Sequence, residues 1–259
     1  CALPISLGHA LTLAGELAFD AGLHTRALAL LPELMRVGRH ADALRHTEAA
    51  LEMARRGGDR AGTARTLALQ ATLLNLLGEH QRALDAAVES IEDGCRGPFP
   101  EGWSPLDVGS EAERALAAMD RAGEIAELWE SISSLSAQAG RSSEHAEATA
   151  RAALAMMELQ RLDRATPLLE SALAAIAETG PVSSGSVTDL QLRLAGCHRA
   201  LGHLDKALQA DRLAEASLRH EGDLPELARC LLRIAEDLQA LGDATGAEAS
   251  ARSEEHTSE

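Results

Sequence analysis

The sequence predicts an all-α chain of repeated antiparallel helix pairs, and three observations carry that prediction. The first is composition: 46% of the 259 residues are hydrophobic but only 2% are aromatic, and Tyr is absent. A core made from such a chain must use Ala, Leu, Ile, Val and Met, which suit closely packed helices, whereas sandwiches and barrels draw on aromatic and β-branched residues. The second is apolar spacing of i, i+4 and i+7, the signature of one helix face. The third is a Gly followed five residues later by Ala, which returns about every forty residues.

The repeat is visible in four segments that align without gaps: VGRHADAL (37–44), LGEHQRAL (77–84), LGHLDKAL (201–208) and LGDATGAE (241–248). Their glycines are Gly38, Gly78, Gly202 and Gly242. Two degenerate copies fill the interval, RAGEIAEL with Arg121 and Ala126 in the Gly and Ala places, and RLDRATPL with Gln160 and Ala165. About six helix pairs are therefore expected over residues 1–251.

Taken in order, the first pair turns at Gly38. The second has Leu67, Ala71, Leu74 and Leu77 on one helix face, a turn at Gly78, then Ala83, Leu84, Ala87, Val88 and Ile91 on the face of its partner. Gly suits the turn because it enters the left-handed conformation that ends a helix. Ala suits its place because a small side chain lets two helices approach, so a bulky residue at Ala83 or Ala207 should overpack at a cost of about 1–3 kcal/mol. Residues 94–109, GCRGPFPEGWSPLDVG, are rich in Gly and Pro and read as loop. The third pair should start at Ser110, which precedes Glu113 with capping-box spacing. The fourth turns at Gln160, and GPVSSGS (180–186) then reads as a second break. The fifth turns at Gly202. The sixth opens on Asp223, three residues before Glu226 with Pro225 in the first turn, and turns at Gly242.

The two ends read as the limits of a fragment of a longer protein. The chain opens on Cys1 with no initiator Met, and Arg252–Glu259, RSEEHTSE, is the in-frame translation of a common sequencing-library adapter. Residues 252–259 are accordingly set apart as a tail, and the last helix is expected to fray.

These repeats resemble tetratricopeptide repeats, which carry a small residue midway along the first helix, a turn Gly, an Ala early in the second helix and a later small residue. Around Gly78 these are Ala71, Gly78, Ala83 and Ser90; around Gly202 they are Ala195, Gly202, Ala207 and Ala214. The period is longer than the family's usual thirty-four or so residues, and the family's aromatic places hold Leu, His and Ala. Units with Gly-Asp ahead of the first helix, GGDRAGTARTL and EGDLPELARCL, look like the extended variant found in large bacterial antibiotic-regulatory and LuxR-type transcription activators and in signal-transduction ATPases. The resemblance implies a right-handed α-solenoid whose first helices line a concave groove for a protein or peptide. Carried onto this chain, the groove positions are Arg36, Arg65, Asn75, Met157, Arg199 and Arg229. It also implies a scaffold that serves as the sensory or oligomerising arm of a bacterial regulator, with self-association through the repeats as a further role. Alternatives are a receptor arm for a peptide signal, using Arg65 and Arg199, and an all-α enzyme domain with paired carboxylates.

Charge and motifs narrow the chemistry. A net charge of -16 repels a phosphate backbone, so direct nucleic-acid binding by this segment is not expected. No apolar run approaches the ~20 residues that span a bilayer, and no signal segment opens the chain, which favours a cytoplasmic setting. Lys206 is the sole lysine and no glycines precede it, so there is no phosphate loop here; other nucleotide, zinc and serine-hydrolase motifs are also missing. No catalytic residue, cofactor or metal ligand is assigned, and the segment is not expected to be an enzyme. Cys1, Cys95, Cys197 and Cys230 are scattered and read as buried thiols, while His198 and His203 read as packed or solvated histidines. Trp103 with Phe99 invites two readings, a loop that folds back to cap a repeat junction or an anchor for a partner.

Overall fold

The computed structural model describes residues 31–180 and 186–258, and every regular element among them is helical. Twelve helices follow in order: α1 (Leu31–Arg36), α2 (His40–Gly57), α3 (Arg60–Leu76), α4 (His80–Cys95), α5 (Pro105–Ala118), α6 (Ala122–Gln138), α7 (Ser142–Glu158), α8 (Leu162–Thr179), α9 (Val187–Ala200), α10 (Leu204–Glu221), α11 (Leu224–Ala240) and α12 (Ala244–Ser258). They divide into two compact units, one up to Leu128 and one from Trp129. Within the first, α1 through α5 each pack on the next and α3 also touches α5; within the second, α7 through α12 do the same in succession. Stepwise packing of neighbours is what a repeat array requires, because each pair buries its apolar face only against the following one.

The turns explain the period. Positive φ occurs at positions 38, 58, 78 and 102, then 120, 140, 160 and 180, then 202, 222 and 242, with Gly180 extended in ψ (179°). The forty-residue repeat is thus two modules of about twenty, and the joints between pairs at Gly58 and Gly140 are closed in the same way as the joints within a pair. At most of them the N–H after the turn residue reaches five residues back, as in Glu79 to the Leu74 carbonyl (2.9 Å), Arg121 to Leu116 (2.9 Å) and His203 to His198 (2.8 Å). That bond satisfies a carbonyl the helix end would otherwise leave open. Three joints pass straight from the turn Gly to an Asp that caps the next helix: Asp59 accepts from Gly62 N, Asp223 from Glu226 N and Asp243 from Gly246 N.

Three sequence expectations are corrected. In the third pair the left-handed residue is Asp120 (φ 57°), one place before Arg121, so Ile125 occupies the Ala slot and Ala126 packs one position later, fully buried. Asp tolerates this conformation through local hydrogen bonding, which is why no Gly marks the turn. The loop is shorter than 94–109, since α4 runs to Cys95 and α5 starts at Pro105. Ser104 caps α5 by accepting from Leu106 N, with Pro105 supplying a preset φ, while Ser110 lies inside the helix and donates to the Leu106 carbonyl. Residues 181–185 of the second expected break lie outside the described residues, as does Cys1; α9 begins at a Ser186 cap that accepts from Asp189 N.

The core is aliphatic, as composition required. Ala83, Ala87, Ala165, Ala207 and Ala214 have no exposed surface, and neither do Leu73, Leu169 and Leu190. Across the outer faces, second helices are tied by ion pairs thirty-four residues apart: Arg82 to Glu48 (3.2 Å) and Arg164 to Glu130 (2.8 Å). Helix α12 continues through Arg252 to Ser258, so the adapter-like residues extend it.

Candidate functional site

Each unit has a groove between successive first helices. In the first it lies between α3 and α5 and encloses a cavity of about 290 Å³. Helix α3 supplies Arg65, Ala68, Leu69 and Thr72, at the i, i+3, i+4, i+7 spacing of one face; α5 supplies Asp107, Val108 and Glu111. Trp103 closes one end. Its Nε1 donates to Ser90 Oγ at 3.0 Å, and that hydroxyl donates to the Ala64 carbonyl at 2.7 Å. The indole is 7% exposed and meets Phe99 edge-on at 5.4 Å. Gly94 makes its seat, since a Cβ there would stand 2.4 Å from the ring. Trp103 therefore folds back onto the α3–α4 pair and at the same time forms the cavity wall. Leu69, by contrast, keeps 37% of its surface exposed.

The second unit has its groove between α9 and α11, around a cavity of about 470 Å³. Its walls carry Arg193, Arg199 and Arg233 with Asp189, Asp223 and Glu226; α10 provides the floor through Leu218 and Glu221. Arg199 grips Asp237 through two bonds (2.8 and 2.9 Å) and also Asp211. Arg193 pairs with Asp189 at 2.8 Å and Arg233 with Glu226 at 3.3 Å. Asp211 has no exposed surface; burial pushes its pKa upward against the pull of Arg199.

The six residues expected to line a groove are placed unequally. Arg65 faces the first cavity, its Nη1 3.4 Å from the Glu101 carbonyl. Asn75 is buried and spans to α5, where its amide donates to the Glu111 carbonyl (2.8 Å) and carboxylate (3.0 Å). Arg199 faces the second cavity with its guanidinium engaged. Arg229 and Arg36 are exposed and pair along their own helices with Glu226 and Glu33. Met157 is half-buried in α7. Sequence reasoning missed Ser90 and Gly94 as the seat of Trp103, and Asp211 and Asp237 as the counter-charges of Arg199. The only sequence signal for the latter was an acid on a mostly apolar helix face.

Burial dominates the thiols: Cys197 and Cys230 are buried and Cys95 is half-buried, with burial pushing Cys230 up to about 12 and Cys95 up to about 11. His198 is buried with Nε2 3.5 Å from Glu170, and among the described residues no cluster suits a metal ion. No described helix is long and apolar enough to cross a membrane.

Residues 33–93 match the family model described as Tetratricopeptide repeat. The helix pairs of both units are tetratricopeptide-like in form. No curated protein matches the sequence. Among solved structures, the chain is similar to BtubC from P. vanneervenii, with 18% identity, TM-score 0.53, and 83% of this chain against 89% of that one. It is also similar to a Signal Transduction ATPase with Numerous Domains with a tetratricopeptide repeat sensor, from Pyrococcus horikoshii, with 14% identity, TM-score 0.54, and 95% of this chain against 42% of that one. A third likeness is to aspartyl phosphate phosphatase F from Bacillus subtilis, with 12% identity, TM-score 0.51, and 96% of this chain against 72% of that one. At these identities the likeness is one of fold.

Proposed function

We propose that this tetratricopeptide array is a protein-interaction scaffold whose first-unit groove receives an extended segment of a partner through one aliphatic side chain. The observation that carries the reading is the cavity between α3 and α5, where Leu69 stays exposed beside Ala68, Val108 and the Trp103 ring. An aliphatic side chain would bury apolar surface there, and the exposed Arg65 guanidinium at the rim would hold a carbonyl or carboxylate of the segment. A peptide-display library panned on the chain should enrich sequences with an aliphatic residue at a fixed place. Their binding should fall with Leu69→Glu and persist with Leu213→Glu, an exposed leucine on α10 of the second unit. Enriched peptides that bind the Leu69→Glu variant as tightly as the parent would overturn the reading.

The finer reading is that the array is the sensory arm of a bacterial transcriptional regulator or signal-transduction ATPase. It is supported by the extended repeat with Gly-Asp joints and by the fold likeness to an ATPase with a tetratricopeptide repeat sensor. Sequencing the complete reading frame tests it: a nucleotide-binding or DNA-binding domain beside the array is the expected result, and a frame without either would rule this reading out.

A further inference from the structure

We infer that the second-unit groove, between α9 and α11, takes a cationic side chain, an arginine or lysine of an extended partner segment, held by Glu221 and Asp223. The inference rests on the interaction reading and adds the chemistry of the occupant. Charge on the groove walls is its starting point. Each of the three lining guanidinium groups is already held by a carboxylate of the same unit: Arg193 by Asp189, Arg199 by Asp237 and Asp211, Arg233 by Glu226. Four carboxylates line the cavity against those three cations. Two of the four remain uncompensated by any charge: Glu221 accepts only the Thr188 hydroxyl (2.8 Å), and Asp223 only the capping N–H of Glu226 (3.1 Å). Both are exposed at the groove mouth. An anionic segment would meet arginines that already face carboxylates of the unit, and two carboxylates with no cation beside them, whereas a cation completes the set.

A second observation comes from the floor. Asp211, Leu218 and Glu221 share one face of α10, being spaced at seven and ten residues, and Leu218 and Glu221 line the cavity. Asp211 Oδ1, on that face, is fully buried and has no hydrogen-bond partner. The lining Arg233 faces it, with Nε 3.8 Å away while Nη2 leans to Glu226 at 3.3 Å. Neither contact of Arg233 is a good one, because a buried carboxylate oxygen calls for a donor at about 2.8 Å. A cation at the mouth weakens the pull of Glu226 on Arg233 and lets that guanidinium turn inward to Asp211. Occupancy and completion of the buried network therefore favour each other.

The test uses the whole chain and a fluorescein-labelled heptapeptide without aliphatic side chains, Gly-Ser-Gly-Arg-Gly-Ser-Gly, with its Arg→Glu counterpart, followed by anisotropy at low and high salt. The Arg peptide should bind and the Glu peptide should not. The paired variant Glu221→Gln with Asp223→Asn, which keeps the cap because Asn also caps well, should weaken the Arg peptide about tenfold and remove most of its salt dependence. Leu69→Glu should leave it unchanged. Equal binding of both peptides, or of the Arg peptide to the parent and the paired variant, would sink the inference. Should the Arg peptide fail while display-selected aliphatic peptides still depend on Leu69, the inference falls and the scaffold reading stands; loss of both removes the two together.

Discussion

Trp103 is joined to Ser90 by a 3.0 Å hydrogen bond from the indole N–H, and Ser90 in turn to the Ala64 carbonyl, so one loop residue ties α4 to α3 through a buried relay. The same ring walls the first cavity. Stability of the first unit and the shape of its groove are therefore set by one contact.

Trp103→Ala should destabilise the first unit by about 3–5 kcal/mol, the usual loss for a buried large aromatic. Trp103→Phe should cost less, about 1–2 kcal/mol, since it strands the Ser90 acceptor but keeps most of the apolar surface. Urea titration followed by circular dichroism separates the two, and a Trp103→Phe variant as stable as the parent would show that the hydrogen bond is irrelevant.

Gln160 and Gly78 occupy equivalent turns with φ of 57° and 79°. A side chain in left-handed backbone is strained, so Gln160→Gly should raise stability by about 0.5–1 kcal/mol and Gly78→Ala should lower it by about 1 kcal/mol. Thermal melts of both variants check the pair; a loss on Gln160→Gly would contradict the assignment.

Arg199→Ala should be among the most damaging changes on the second unit, at about 3–5 kcal/mol, because it leaves Asp237 buried without a counter-charge and Asp211 with only Arg233 at 3.8 Å. Adding Asp211→Asn should return part of that loss, since a neutral amide removes one uncompensated charge. Chemical denaturation of the single and double variants measures the recovery, and an additive further loss would argue against charge burial as the cause.

Burial holds the His198 pKa below its ordinary value of 6.5, with Glu170 opposing and Lys206 and His203 assisting. A folded-state value below the unfolded one means that the neutral ring contributes stability above pH 6.5, and that this contribution is lost as pH falls through the folded value. Stability of the second unit should therefore drop on acidification from pH 7.5 toward 5, and His198→Gln should flatten that slope. Fluorescence-monitored urea titrations across the range give the comparison.

What the sequence determined by itself is local. The helices, the turns at Gly38, Gly78, Gly202 and Gly242, the Asp223 cap and the buried Ala83 and Ala207 follow from helical periodicity and from residues whose backbone preference is strong. Where preference is weak, the reading slipped: Asp120 rather than Arg121 takes the left-handed turn, and Ser104 rather than Ser110 caps α5. Only the tertiary structure decided which polar side chains face a groove and which are spent inside. Asn75 and Arg199 look equally available in the sequence, yet one bonds Glu111 thirty-six residues on and the other Asp237 thirty-eight residues on. Pairings at such separations depend on how neighbouring helix pairs pack. Periodicity along one helix gives its face but not the charge that the next helix sets opposite it.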